Sequence, residues 1–243
     1  MKTAVVTGAS SGIGAATARR LAAEGFKVFC AARRSDRIEE LAEEIGGVAV
    51  TCDILDDADV ARLAETVGGS VDVLVNNAGG ALGLEPVVNA ELELWDRMFQ
   101  TNVIGTARVT KALFPALKEA RGIIVFVTST AADAGYDGGA GYCGAKAAER
   151  SMVEAMRLEL FDTDVRITEI CPGMVATEEF SLTRFAGDQQ RAEKVYEGVP
   201  DPLTADDIAD TIHFMVTRPH HVNLDRITIR PRAQAAQHKV YRG

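Results

Sequence analysis

The apolar positions fall into two alternating patterns. Short stretches rich in apolar residues occupy residues 3–8, 27–32, 48–52, 71–75, 123–128, 165–170 and 226–230. Each run is too short for a helix, and Val, Ile and Ala dominate them. Such runs predict strands buried on both faces, as in a parallel sheet. Between them, apolar residues recur every three to four positions, the helical period. An Ala- and Arg-rich stretch extends to about Glu24 and is closed by Gly25. A second runs from Ser35 to Ile45 with Gly46-Gly47 as its stop, and a third from Asp56 to Val67. Strand and helix therefore alternate at intervals of 20–25 residues. That rhythm predicts an α/β, doubly wound parallel sheet with its ligand at the C-terminal ends of the strands.

The second half keeps the rhythm with three irregularities. One long helix is predicted to hold Trp95, Met98, Phe99, Asn102, Val103, Thr106, Val109 and Leu113, with Pro115 kinking its end. Asn102 would lie mid-helix among small and apolar neighbours, where an amide needs a specific partner. After a helix from about Tyr142 to Phe161, the segment 174–203 has no regular pattern beyond a short charged helix near 189–196. A connection of that length reads as a lid. A last helix covers Asp206–Thr217, and the tail beyond Pro231 is basic and weakly patterned. No repeat or linker divides the 243 residues, so residues 1–243 are expected to form one domain.

Composition narrows the function classes. The net charge is −9, from 26 basic and 35 acidic residues, which disfavours a nucleic-acid partner. No apolar run approaches the roughly 18 residues needed to cross a bilayer, so no membrane partner is expected. The N-terminus enters a strand and a Gly-rich turn at once, leaving no room for a signal peptide and suggesting a cytoplasmic protein. Cys30, Cys52, Cys143 and Cys171 form no C-x-x-C pair, and no metal site is visible.

The candidate chemistry begins at the first strand–helix junction. Gly8-Ala9-Ser10-Ser11-Gly12-Ile13-Gly14 stands where free N–H groups and a helix dipole can meet a phosphate. The second strand ends in Arg33-Arg34 and not in a carboxylate. Arginine there pairs with a ribose 2′-phosphate, so NADP is favoured over NAD. Tyr142 and Lys146, four residues apart, share one helix face. An ammonium beside a phenol is expected to lower its pKa from about 10 towards working pH. Ser129, thirteen residues before Tyr142 at a strand end, could bring a hydroxyl to the pair.

Taken together, Thr7-Gly8-Ala9-Ser10-Ser11-Gly12-Ile13-Gly14, Asn76-Asn77-Ala78-Gly79, Asn102, Ser129, Tyr142-x-x-x-Lys146 and Pro172-Gly173 resemble the short-chain dehydrogenases/reductases over essentially the whole chain. The resemblance implies a Rossmann-type, seven-stranded parallel sheet flanked by helices on both faces, and a homotetramer or homodimer. It also implies roles. Tyr142 would exchange the proton, Ser129 would hydrogen-bond the same substrate oxygen, and Lys146 would tune the phenol and hold the nicotinamide ribose. Asn102 would serve a water-linked proton path. Gly8, Ser10, Ser11, Gly12, Ile13 and Gly14 would surround the cofactor pyrophosphate. Arg33 and Arg34 would meet the 2′-phosphate, and Asp53 with Ile54 the adenine. Asn76, Ala78 and Gly79 would pack along the adenosine ribose, and Pro172, Gly173, Val175 and Thr177 would complete the cofactor site.

A narrower likeness runs through Ala81–Pro86, Glu179-Phe180-Ser181, Arg184-Phe185, Gly187-Asp188, Ala192-Glu193-Lys194 and Leu203-Thr204. These stretches resemble NADP-dependent 3-hydroxy acid dehydrogenases of the serine, allo-threonine and malonic semialdehyde type. The likeness implies a small-molecule substrate with a carboxylate, for which Arg184 is the candidate partner. Cys171 departs from that group, which often carries an acidic residue there, near the cofactor's carboxamide side. Two other readings stand beside this one: a carbonyl reductase for uncharged aldehydes or ketones, and a non-catalytic NADP-binding regulator.

Overall fold

The computed structural model describes every residue of the chain except Glu178. Strands and helices alternate through β1 (Thr3–Thr7), α1 (Gly12–Ala23), β2 (Lys27–Ala32), α2 (Ser35–Ile45), β3 (Val48–Thr51), α3 (Asp57–Val67) and β4 (Val73–Asn76). Then come α4 (Leu92–Phe99), α5 (Thr106–Ala120), β5 (Ile123–Val127), α6 (Ala140–Glu159) and β6 (Arg166–Pro172). The remainder is α7 (Phe180–Arg184), α8 (Gln189–Lys194), α9 (Ala205–Val216), β7 (Arg226–Ile229) and a small antiparallel pair, β8 (Gln234–Ala236) with β9 (Lys239–Val240). The main sheet has seven parallel strands in the order β3-β2-β1-β4-β5-β6-β7. Its winding reverses between β1 and β4, and a crevice opens at the strand ends there.

The apolar runs are buried on both faces because two helical layers cover them. Along β5, Ile123, Val125 and Val127 join one core with α1 and α9. Ile124 and Phe126 join the other with α3 and α5. Each fully buried side chain of this size contributes about 1.5–3 kcal/mol. Helix boundaries follow local chemistry. Asp56 caps α3 by accepting from Ala58 N and Asp59 N. Gly46 closes α2 at φ +65°, and Thr204 with Asp207 forms a capping box on α9. Among the described residues, no helix is long and apolar enough to cross a membrane.

The long middle helix departs from expectation in one way. The backbone stays helical from Leu92 to Ala120, but widens to a π-helical stretch at Gln100–Gly105. Pro115 lies inside α5, five residues before its end at Ala120. The lid also holds more structure than the single short helix expected, since α7 and α8 both lie in it. Its two ends are pinned together: Ala176 N donates to Leu203 O at 2.7 Å and Leu203 N to Met174 O at 3.1 Å. The tail after Pro231 is not patternless. It folds as the β8–β9 hairpin against the site.

Candidate active site

A cleft of about 720 Å³ runs along the C-terminal ends of β1, β2, β4, β5 and β6 and under the lid. Its first wall is the β1–α1 turn. Gly8 has φ +65°, and a Cβ there would press on Ala78 Cα at 3.0 Å. A Cβ on Gly14 would collide with the Gly8 carbonyl. The turn is therefore tight, and only glycine fits it. Ser11 precedes α1 without capping it through its side chain. The first-turn N–H groups are thus left for an anion. These features fit a dinucleotide pyrophosphate.

Most of the residues singled out from sequence line this one cleft. Gly8, Ser10, Ser11, Gly12, Ile13, Arg33, Arg34, Asp53, Ile54, Ala78 and Gly79 line one part of it, around the β1–α1 turn. Ser129, Tyr142, Lys146, Pro172, Gly173, Val175, Thr177 and Arg184 line the rest. Four lie off the cleft surface. Gly14 lies behind the turn and not on the cleft surface. Asn76 points away, its Nδ2 donating to Thr110 Oγ1 at 2.8 Å, and the neighbouring Asn77 faces the cleft instead. Asn102 is fully buried behind Gly79. Its Nδ2 donates to Met98 O at 2.7 Å and Gly80 O at 3.0 Å, and its Oδ1 accepts from Gly80 N at 3.1 Å. Those bonds satisfy the mid-helix amide. Cys171 likewise faces the core, its Sγ 3.0 Å from Glu169 Oε1 and 2.9 Å from Arg226 Nε.

The polar centre is compact. Ser129 Oγ accepts from Ala131 N at 3.1 Å and lies at the end of β5. Tyr142, in the first turn of α6, is buried, and the ring of Phe180 from α7 meets its edge at 5.9 Å. Burial raises the Tyr142 phenol above its ordinary value, while the Lys146 charge and the Ser129 hydroxyl act to lower it. The lowering expected from Lys146 alone is therefore present but outweighed by burial. Lys146 Nζ donates to Val127 O at 3.0 Å and to Glu149 Oε2 at 2.7 Å. Cys143, next to Tyr142, is half-buried, and burial raises its thiol; the thiolate that a reactive cysteine needs is disfavoured.

Arg34 and Arg184 already hold protein partners. Arg34 does not stand open at the mouth. Its Nη1 and Nη2 donate to both oxygens of Glu179 at 2.7 and 2.6 Å, and Nη2 also reaches Ser10 Oγ and Ser11 Oγ. Arg184 is tied to the loop after β4: its Nε donates to Gly83 O at 2.9 Å and its carbonyl accepts from Gly83 N. Its guanidinium lies 5.4 Å over the Tyr136 ring. Its Nη2 is buried with no hydrogen-bond partner among the described residues.

Several lining residues escaped sequence reasoning. Gln234 Oε1 accepts from Met174 N at 2.8 Å, and Gln237 Oε1 from Thr130 Oγ1 at 2.5 Å. Both come from the hairpin, where the weak pattern carried no signal. Tyr136 could have been flagged as the one aromatic within the Gly-rich run 135–139.

A parallel sheet with a tight glycine turn after its first strand, and a Ser–Tyr–Lys group beyond the end of β5, fits a nucleotide-dependent oxidoreductase. The chain belongs to the short chain dehydrogenase family, whose model matches residues 2–184. It is 58% identical to an uncharacterised oxidoreductase of Mycobacterium tuberculosis, covering 97% of this chain and 93% of the relative. It is 42% identical to serine 3-dehydrogenase of Rhizobium radiobacter, over 99% of this chain and 98% of that one. A solved closed form of serine dehydrogenase complexed with NADP+ superposes with a TM-score of 0.92 at 36% identity, covering 96% of each chain.

Proposed function

We propose that this oxidoreductase interconverts a 3-hydroxy acid and its carbonyl form with NADP. The observation that carries the acid is Arg184. A buried guanidinium nitrogen without a partner is unfavourable unless a ligand completes it. Arg184 lines the same cleft as Ser129 and Tyr142, and its charge is near enough to lower the Tyr142 phenol. A planar guanidinium matches a carboxylate geometrically. The serine 3-dehydrogenase relative supports the same class, since serine is itself a 3-hydroxy acid.

NADP, when bound, supplies the hydride chemistry. Arg33 and Arg34, at the end of a strand without a carboxylate, favour the 2′-phosphate form. The chain's own residues handle the substrate oxygen. Ser129 fixes that oxygen by a hydrogen bond, and Tyr142 gives or takes its proton. Lys146 supplies positive charge that opposes the effect of burial on the phenol. Phe180 and the lid exclude water from the pair.

Arg184→Met tests the acid class. It keeps the side-chain stem and removes the charge. kcat/KM for serine or 3-hydroxypropionate is expected to fall by about 2–4 kcal/mol. A neutral aldehyde of similar size is expected to lose little. Equal loss with both substrates would make Arg184 a tether of the lid to Gly83 and would point to an uncharged substrate.

A further inference from the structure

One buried carboxylate at this site has no role in the chemistry above. Glu149 stands one turn along α6 from Lys146 and is 2% exposed. Its Oε2 accepts from Lys146 Nζ at 2.7 Å. An ammonium has three N–H donors. Glu149 and Val127 O engage two, which leaves one for the cleft that Lys146 lines.

The groups around the pair come from several elements. Tyr142 shares the helix, and the charge of Arg184 acts on the phenol from the lid. From β6, the fully buried Glu169 opposes ionisation of Glu149. Glu169 is itself faced by Arg226 of β7 at 3.7 Å, and Arg226 also pairs with Asp133. Arg150, adjacent in sequence, turns outward to Asp133 and Glu154. Burial raises the Cys171 thiol to about 11, so it carries no charge at neutral pH. Among the described residues, Glu149 is thus the carboxylate in ion-pair contact with Lys146.

We propose that Glu149 is a positioning residue for the proton transfer: its carboxylate is the buried counter-charge that holds the Lys146 ammonium charged and fixed beside Tyr142. The proposal rests on the Tyr142–Lys146 reading given under the proposed function. The physical argument is that an isolated buried ammonium sheds its proton, whereas one with a hydrogen-bonded carboxylate keeps it. Burial pushes the Glu149 carboxyl up to about 6, with Lys146 pulling the other way. It is therefore ionised at neutral pH and above. The same negative charge raises both Lys146 and Tyr142. Glu149 thus keeps the lysine charged and moderates its effect on the phenol.

Glu149→Gln removes the charge and keeps the shape, so both neighbours lose protons more easily. In the oxidative direction, kcat/KM rises as the phenol deprotonates and falls as Lys146 does. Both limbs are expected to move to lower pH by about one unit or more. Turnover at a pH above the wild-type optimum should fall about tenfold. Without cofactor or substrate, an ultraviolet difference titration reads the phenol directly, once the Tyr142→Phe curve in each background is subtracted. It should move the same way. Glu149→Asp keeps the charge and should leave both limbs at the wild-type positions, with a lower kcat. An active Glu149→Gln enzyme with unshifted limbs overturns the proposal, as does Glu149→Asp shifting as far as Glu149→Gln. If Glu149→Gln does not fold, 13C carboxyl spectra of the wild-type protein decide: a Glu149 carboxyl protonated throughout the active pH range overturns it, and an ionised one that responds to Lys146→Met supports it. A Tyr142→Phe enzyme with near-normal turnover overturns the underlying reading and this proposal with it. An inactive Tyr142→Phe beside an unshifted Glu149→Gln overturns this proposal alone.

Discussion

Glu179 occupies the guanidinium that a 2′-phosphate would use, and its removal should tighten NADP. Arg34 gives both Nη groups to the Glu179 carboxylate, at 2.7 and 2.6 Å. The side chains are 43% and 30% exposed, so solvent screens the pair. Exposed ion pairs contribute about 0.2–1 kcal/mol, and two-pronged geometry places this one near the upper end. A phosphate arriving at Arg34 must displace that carboxylate. Glu179→Gln removes the competitor and should tighten NADP by about 1 kcal/mol, or about fivefold in Kd. NAD, lacking the phosphate, should bind as before. Arg34 holds the Glu179 carboxyl below its usual range, so the competition persists into mildly acidic solution. Calorimetric titration of both nucleotides into wild type and variant at one ionic strength measures the effect. Weaker NADP binding in Glu179→Gln would refute the reasoning, because Glu179 would then be holding Arg34 in place for the phosphate. So would an equal gain for NAD.

Two further outcomes follow from the same cleft. Tyr142→Phe keeps the ring against Phe180 and removes the hydroxyl, so cofactor affinity by titration should persist while kcat drops by about 10²-fold or more; near-normal kcat in a folded protein contradicts the proton-transfer role. The Arg33→Ala,Arg34→Ala double variant should lose its preference for NADP, each charged hydrogen bond being worth about 1.5–3 kcal/mol, and an unchanged ratio of kcat/KM for NADP and NAD would remove both arginines from the phosphate site.

The legible parts of the chain were those set by neighbours in sequence. The run Lys27–Ala32 lies between Phe26 and Arg33-Arg34, and helix α2 begins at Ser35 and ends before Gly46, so both boundaries could be read from sequence. Tyr142 and Lys146 declared themselves by spacing. What stayed hidden depends on packing between distant segments. Glu149 looks like any polar residue of an amphipathic helix until α6 is laid on β6, which buries it. Glu179 lies 145 residues from Arg34, and nothing local marks the pair. Gln237 meets Thr130 across 107 residues, from a tail whose strands of three and two residues are too short to show a period. The phenol of Tyr142 shows the same limit. Sequence supplies the lysine, but the weight of burial appears only in the folded cleft.

Helix α7 gives the lid a mechanical consequence. Glu179 precedes it and Arg184 ends it, five residues on and roughly 7 Å away at the helical rise. One residue meets the arginine at the nucleotide end of the cleft, and the other lines its substrate end. Under the proposed function, this one helical turn would join a residue that a phosphate displaces to a residue that holds a carboxylate. Any coupling between the two ends would be reciprocal, the carboxylate changing nucleotide affinity by the factor by which the nucleotide changes its own. Cofactor preference and acid preference would then be a linked quantity, and a change engineered into one would register in the other.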